Sequence, residues 1–203
     1  MKEKDFSQHG EQKLLKEWFK KHRPKNRFLV DVGAYSTELS NTYRFLKEGW
    51  EGILIEPNEE KYWGLMRATK GLKAVVVHGG AGSSAVRLPL YIHTVGGHDS
   101  FLKDWGHSEL TGETPLVNVW PLTEILRDWG APSRVDLISI DTEGMDEEIM
   151  KCFFKDGKYR ATVIVTEAES YKDGKGLFGK YGYRLLAHLG DKVFGNDIFV
   201  SMI

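Results

Sequence analysis

Asp31, Glu56, Asp141 and Glu167 each lie at or near the end of a short apolar run in this 203-residue chain. Phe28-Leu-Val-Asp-Val32 carries the first and Gly52-Ile-Leu-Ile-Glu56 the second; Val135-Asp-Leu-Ile-Ser-Ile140 precedes the third and Thr162-Val-Ile-Val-Thr166 the fourth. A fifth run, Lys73-Ala-Val-Val-Val77, leads into His78-Gly-Gly-Ala-Gly-Ser83. Carboxylates at strand tips can accept hydrogen bonds from a diol, favour a cation or take up a proton. Glycine turns let a ligand approach the backbone closely. In an open parallel sheet such tips share one edge, and ligands bind beyond it.

The first two runs are the most informative. Gly33 permits a sharp strand-to-helix turn, and the helix expected after it presents free N–H groups. Glu56 follows Asp31 by 25 positions, close to the roughly 20 expected when an acid accepts hydrogen bonds from a ribose diol. A capping Asp and a solvated Glu are the plain alternative. A nicotinamide dinucleotide would call for three spaced glycines cradling a pyrophosphate. Here the turn reads Gly33-Ala-Tyr-Ser-Thr-Glu38, with one glycine and Asp31 in front. A carboxylate at this turn repels pyrophosphate and favours a cationic ligand, such as the sulfonium and ammonium of S-adenosylmethionine.

Methyl transfer from a sulfonium is an in-line displacement, so the protein has chiefly to align the acceptor and exclude water. An alcohol acceptor must also lose a proton, and Asp141, Glu143 and His98 are the candidate catalytic groups. The plain alternative for Asp141 and Glu143 is that they cap the following helix and tie down a loop, since carboxylates are common at helix N-termini. His78, His93, His98 and His107, with Asp99, Asp141 and Glu143, contain metal-ligand types but no ligand spacing on a helix, and no metal is assigned. His98-Asp99-Ser100 is no triad, because the fold and not adjacency assembles one.

The elements that must position these groups can be read from periodicity. Gln8 to His22 carries Leu14, Leu15, Trp18 and Phe19 at helical spacing and is stopped by Pro24. Strand and helix then alternate: strands over 28–32, 52–56 and 73–77 enclose helices over 37–47 and 59–69. Val86 to Ile92 reads as a further strand, Leu122 to Trp129 as a short helix and Met145 to Phe154 as a helix with Asp146, Glu147 and Glu148 in its first turn. Arg184 to Leu189 and Asp197 to Met202 read as an antiparallel pair. Continuous apolar strands alternating with amphipathic helices predict a doubly wound α/β fold around a buried, mostly parallel sheet. The region 93–115, rich in Gly, His, Ser and Thr and containing Phe101 and Trp105, reads as a long loop insert that contacts the acceptor.

Composition sets the remaining bounds. The chain is 41% hydrophobic and 28% charged, which is ordinary for one globular domain over 1–203, with an N-terminal helix in 1–26. The net charge of −1 gives no bulk reason to bind nucleic acid, and none is expected as a partner. The single cysteine, Cys152, excludes a disulfide framework and reads as a small buried residue. There is no long apolar stretch and no secretory pattern, so the expectation is a cytoplasmic protein without a membrane partner. Oligomeric state is left open.

The chain resembles the FkbM family of class I methyltransferases. The stretches that carry the resemblance are Val30-Asp-Val-Gly-Ala34, Ile55-Glu-Pro-Asn58 with Tyr62 and Leu65, Val75 to Ala81, Val117-Asn-Val119 with Leu122, Asp136-Leu-Ile-Ser-Ile-Asp-Thr-Glu-Gly144, Val163-Ile-Val165 with Glu167, and Tyr181-Gly-Tyr183. The resemblance implies a Rossmann-like seven-stranded sheet, mostly parallel, with the last strand antiparallel. It implies S-adenosylmethionine as cofactor. Asp31, Gly33, Ala34 and Ser36 would lie at the methionine end, Glu56 and Pro57 at the ribose, Gly80 and Ala81 at the adenine, and Asp141 and Glu143 where donor and acceptor meet. It further implies O-methylation of a hydroxyl on a small molecule or sugar. An amine or nucleic-acid acceptor, or a non-catalytic nucleoside-binding module, are the alternatives. Two departures stand out: Ser36-Thr37 replaces the second glycine of the first loop, and Asp146 stands where the family tends to have Glu.

Overall fold

The computed structural model describes residues 5–105, 108–191 and 195–203, so His107 lies outside the described residues. Helix α1 (Glu11–Lys21) leads into β1 (Phe28–Val32), α2 (Tyr43–Lys47), β2 (Glu51–Glu56), α3 (Glu59–Ala68) and β3 (Ala74–His78). The short strands β4 (Gly80–Gly82), β5 (Val86–Pro89) and β6 (Leu116–Pro121) follow, then α4 (Leu122–Asp128), β7 (Arg134–Ile140), α5 (Asp146–Asp156), β8 (Arg160–Glu167), α6 (Gly174–Lys180), β9 (Tyr183–Gly190) and β10 (Gly195–Ser201). Seven strands form one sheet in the order β3-β2-β1-β7-β8-β10-β9. The last strand of the chain, β10, runs antiparallel to both of its neighbours, as the sequence predicts.

Each central strand is buried on both faces, which is why its sequence reads as a continuous apolar run. In β1, Val30 and Val32 face the core that holds Leu126 of α4, Ile149 and Phe153 of α5 and Phe178 of α6. Leu29 faces the opposite core, with Leu15 and Phe19 of α1, Phe45 of α2 and Leu65 of α3. The chain direction of winding reverses between β1 and β7, which are parallel neighbours. That crevice is the switch point at which ligands bind in open α/β sheets.

Several sequence expectations change. The helix expected over 37–47 begins only at Tyr43. Ser40 accepts hydrogen bonds from the N–H groups of Thr42 and Tyr43, and Ser40 and Thr42 turn their hydroxyls to Asp31. These local side-chain bonds compete with the helix and hold 33–42 as a loop. The strand expected over 86–92 stops as a ladder at Pro89 and pairs with β6 in a separate three-stranded sheet, β4-β6-β5. From there 90–94 and 109–115 continue side by side through bonds such as Thr94 N–H to the Glu109 carbonyl (2.8 Å). The insert is thus a hairpin-like extension of β5 and β6. Cys152, expected in the core, is only partly buried, its Sγ 3.7 Å from the Ser83 carbonyl. Among the described residues no helix is long and apolar enough to cross a membrane.

Candidate active site

A cavity of about 490 Å³ opens beyond the carboxyl ends of β1, β2, β7 and β8, within the range of small-molecule sites. Gly33, Glu56, Asp141 and Glu167, which follow or end those four strands, all line it. Glu56 is held from both sides: Oε2 accepts from the Tyr35 N–H and Oε1 from the Asn58 N–H, each at 2.8 Å. Each oxygen keeps a further lone pair for a ligand hydroxyl. Burial pushes the Glu56 carboxyl up to about 7, against the pull of the two backbone N–H groups, and the Asp99 charge adds to the rise. Asn58 also caps α3, accepting from the Glu60 and Lys61 N–H groups, and its Nδ2 donates to Asp99 at 2.6 Å. Asp99 in turn accepts from the His93 N–H at 2.9 Å, so the insert is tied to the tip of β2.

The first loop is arranged differently from the expectation. Gly33 lines the cavity, but its N–H and that of Ala34 both donate to the Ile55 carbonyl at 3.0 Å and offer nothing to a ligand. Asp31, Ala34 and Ser36 are absent from the wall. Asp31 instead accepts from Thr42 Oγ1 at 2.5 Å and Ser40 Oγ at 3.4 Å, and Ser40 reaches the cavity. Burial raises the Asp31 carboxyl to about 6, with both hydroxyls holding it down. Ser36 accepts from the Leu39 N–H, and Ala34 packs in the core. Tyr35, next to Ser36-Thr37, holds φ at 44°, a region that side-chain-bearing residues seldom occupy.

At the other end Asp141, Glu143 and Glu167 each bring one carboxylate oxygen within 4.8 Å of the other two, a spacing that can hold a cation or share protons. The sequence separates Glu167 from the other two, and only the β7–β8 pairing unites them. Burial followed by the charge of Glu167 lifts Glu143 to about 8. Burial and the neighbouring Glu143 push Asp141 well up, and burial with Asp141 does the same for Glu167. Three such groups in one pocket cannot all be ionised at neutral pH. Glu143 sits at φ 53°, a second strained residue on the cavity wall, in line with the tendency of strain to collect at functional sites. At the start of α5, after the loop that carries Asp141 and Glu143, the N-cap position is Met145, which makes no side-chain cap bond. That loop is tied by Asp146, which accepts from the Thr142 N–H at 2.9 Å, from Thr142 Oγ1, and from Thr166 Oγ1 at 3.0 Å.

Pro57, Gly80, Ala81 and His98 also line the cavity. His98 Nδ1 is 3.3 Å from Ser108 Oγ. Phe101 of the insert covers Gly80 so closely that a Cβ there would lie 2.5 Å from the ring. Phe101 therefore stands at the end expected for adenine, while Trp105 covers Gly144 in the acidic loop. Sequence reasoning missed Tyr35, Ser40, Asn41 and Asn196, together with Gln8 and His9 of the N-terminal segment. Their only signal is polarity, which loop residues share generally. Among the described residues no Lys or Arg lines the cavity.

A seven-stranded sheet with its last strand antiparallel, and a cavity at the switch point with an acid on the tip of the second strand, define the Rossmann-like methyltransferase class. Solved structures agree on the fold. The methyltransferase domain of METTL16 is 11% identical with a TM-score of 0.55, over 94% of this chain and 66% of that one. Precorrin-6y C5,15-methyltransferase from Geobacter metallireducens is 16% identical with a TM-score of 0.50, over 93% and 87%. A candidate RNA methyltransferase from Pyrococcus horikoshii is 15% identical with a TM-score of 0.52, over 100% and 91%. At such identities these likenesses show the fold alone. No curated protein sequence matches the chain. The chain matches the methyltransferase FkbM domain over residues 31–193 and belongs to that family.

Proposed function

We propose that this FkbM-family methyltransferase uses S-adenosylmethionine to methylate a hydroxyl of a small molecule or sugar. The observation that carries the reading is Glu56, buried at the tip of β2 with both oxygens oriented by backbone N–H groups and turned to the cavity. A nucleoside fits that end: Glu56 would accept from the two ribose hydroxyls, and Gly80, Ala81, Pro57 and Phe101 offer close backbone and an apolar ring to a base. A positively charged methionine end fits the other half, where Asp141 and Glu143 lie and Asp31 adds its field from beneath. The cofactor supplies an activated methyl group; the chain aligns the acceptor, keeps water out and takes a proton. Glu143, raised to about 8, titrates near neutral pH and is the best placed of the acids to take it, with His98 as the second candidate.

The names of two structurally similar proteins, the one from Pyrococcus and one from Streptococcus pneumoniae, indicate RNA and tRNA for those proteins. For this chain the acidic wall without Lys or Arg among the described residues counts against a nucleic-acid acceptor, since phosphate neutralisation dominates such binding. Calorimetric titration with S-adenosylmethionine tests the cofactor, and Glu56→Ala should weaken binding by about 100-fold or more. Transfer of labelled methyl to a sugar panel, against RNA at low and moderate salt, tests the acceptor. Methylated RNA without methylated sugar overturns the hydroxyl-sugar reading.

A further inference from the structure

The N-terminal segment precedes the matched family domain, yet two of its residues, Gln8 and His9, line the cavity. Two buried polar side chains hold it there. Glu11 is fully buried: its Oε2 accepts from the His9 N–H at 2.9 Å, and its Oε1 accepts from Asn196 Nδ2 at 2.7 Å. Gln12, 2% exposed, accepts from the Phe6 N–H at 3.0 Å and donates to the Ser40 carbonyl at 2.8 Å. The Ser40 N–H returns a bond to the Phe6 carbonyl at 3.0 Å. Burying a carboxylate is costly unless its bonds are made. Here those bonds go to the backbone beside His9 and to Asn196, itself on the cavity wall. Glu11 takes one of the two Nδ2 hydrogens of Asn196, whose other hydrogen and amide oxygen are the groups it can offer a ligand. Asn41, on the same side, donates its Nδ2 to Ser139 Oγ at 3.1 Å. Gln8 and His9 are exposed at the mouth.

We propose that this segment forms the wall of the acceptor end, with Gln8, His9 and Asn196 as the residues that select an uncharged polyhydroxyl acceptor. Amide and imidazole groups both donate and accept, which suits neighbouring hydroxyls, and among the described residues no Lys or Arg on the wall is there to neutralise an anion. The proposal rests on the methyltransferase reading and is tested apart from it. The full chain is loaded with S-adenosylhomocysteine, checked by calorimetry, and probed by saturation-transfer NMR. The probes are methyl glycosides of glucose, galactose, rhamnose and fucose, with uridine monophosphate and inorganic phosphate as anionic probes. At least one glycoside should bind. Gln8→Ala with His9→Ala, and separately Asn196→Ala, should weaken it about fivefold or more, the loss of roughly one hydrogen bond. Affinity for S-adenosylhomocysteine should move less than about twofold, since no donor-contacting bond is removed. Because Gln8 and His9 are exposed, the double variant should keep the wild-type melting temperature. Glycoside binding that the variants leave unchanged, binding of the anions only, no binding of any probe, or weakened donor binding in its place overturns the proposal alone. Failure of the wild type to take up S-adenosylhomocysteine overturns the methyltransferase reading and this one with it.

Discussion

Gly33 and Asp141 meet where β1 and β7 end side by side. The Asp141 N–H donates to the Val32 carbonyl at 2.9 Å, and a Cβ on Gly33 would lie 1.7 Å from the Asp141 carbonyl oxygen. Gly33 also holds φ at 76°. Gly33→Ala must therefore both strain its own backbone and part the two strands at the switch point. The expected cost is about 3 kcal/mol or more, or roughly 6–12 °C in melting temperature for a chain of this size. Gly49→Ala is the control: φ is 87° but nothing lies within 4 Å of the added carbon, so only the conformational penalty of about 1 kcal/mol applies. Equal melting temperatures for the two variants would sink the close-contact account.

Glu56→Ala should cost donor affinity without unfolding the protein. Two charge-assisted hydrogen bonds to a diol are worth about 1.5–3 kcal/mol each, so the affinity should fall by about 100-fold or more. Calorimetry measures it directly. A fall below about threefold would place the ribose elsewhere.

The sheet was legible because buried strands declare themselves as apolar runs, and the tips of those runs located Glu56, Asp141 and Glu167 on one edge. What was not legible depends on contacts between distant segments. The bonds from Asp31 to Ser40 and Thr42 end the predicted early helix, and no periodicity reveals them. The Glu11–Asn196 bond joins the two ends of the chain and brings Gln8 and His9 to the cavity. The family resemblance implied Asp31, Ala34 and Ser36 as direct contacts, yet none of the three lines the cavity, and Asp31 accepts from Ser40 and Thr42 instead.

Donor binding should tighten as pH rises through the titration of Glu56. Its carboxyl is raised from 4.5 to about 7 in the folded chain. Its contribution to stability is fully present below pH 4.5 and is lost as pH rises to about 7, because the unfolded chain gives up this proton first. A ligand diol needs the ionised form as acceptor, so binding below pH 7 releases a proton. S-adenosylhomocysteine simplifies the reading, since it lacks the sulfonium and keeps only the ammonium as a positive charge for the acids around Glu143 to sense. Its affinity should climb by up to about tenfold per pH unit from 5 to 7 and then level off. Titrations in buffers of different ionisation enthalpy at pH 6 should show the proton release, and Glu56→Gln should show clearly less, the remainder coming from Asp31, which is raised to about 6.

Phe101→Ala should weaken the donor more than any other change in the insert. Its ring lies against Gly80 and on the cavity wall, so removal exposes the end proposed for adenine. Losing an aromatic wall of this kind is worth about 1.5–3 kcal/mol, or roughly 10- to 150-fold in affinity. Unchanged donor affinity with weakened acceptor binding would return Phe101 to the acceptor side, where sequence reasoning first put the insert.

Asp146→Ala should damage the acidic loop by a route that donor affinity alone does not report. Asp146 is fully buried and accepts from the Thr142 N–H, from Thr142 Oγ1 and from Thr166 Oγ1. These bonds join the loop after β7 to β8 and so set Asp141 and Glu143 opposite Glu167. Alanine leaves the Thr142 N–H and hydroxyl short of this partner, while Thr166 Oγ1 keeps Tyr171 Oη at 3.0 Å, so at about 1–3 kcal/mol for each lost partner a loss of about 2 kcal/mol or more is expected. Its charge also helps to raise Asp141, Glu143 and Glu167. Removing it should therefore shift the titration of Glu143 below its value of about 8. Carbon-13 NMR of labelled glutamate carboxyls reads that shift, and thermal melting reads the stability. A stable variant with an unmoved Glu143 titration would mean that the loop is held by something other than Asp146, and that the proximity of the three acids does not depend on it.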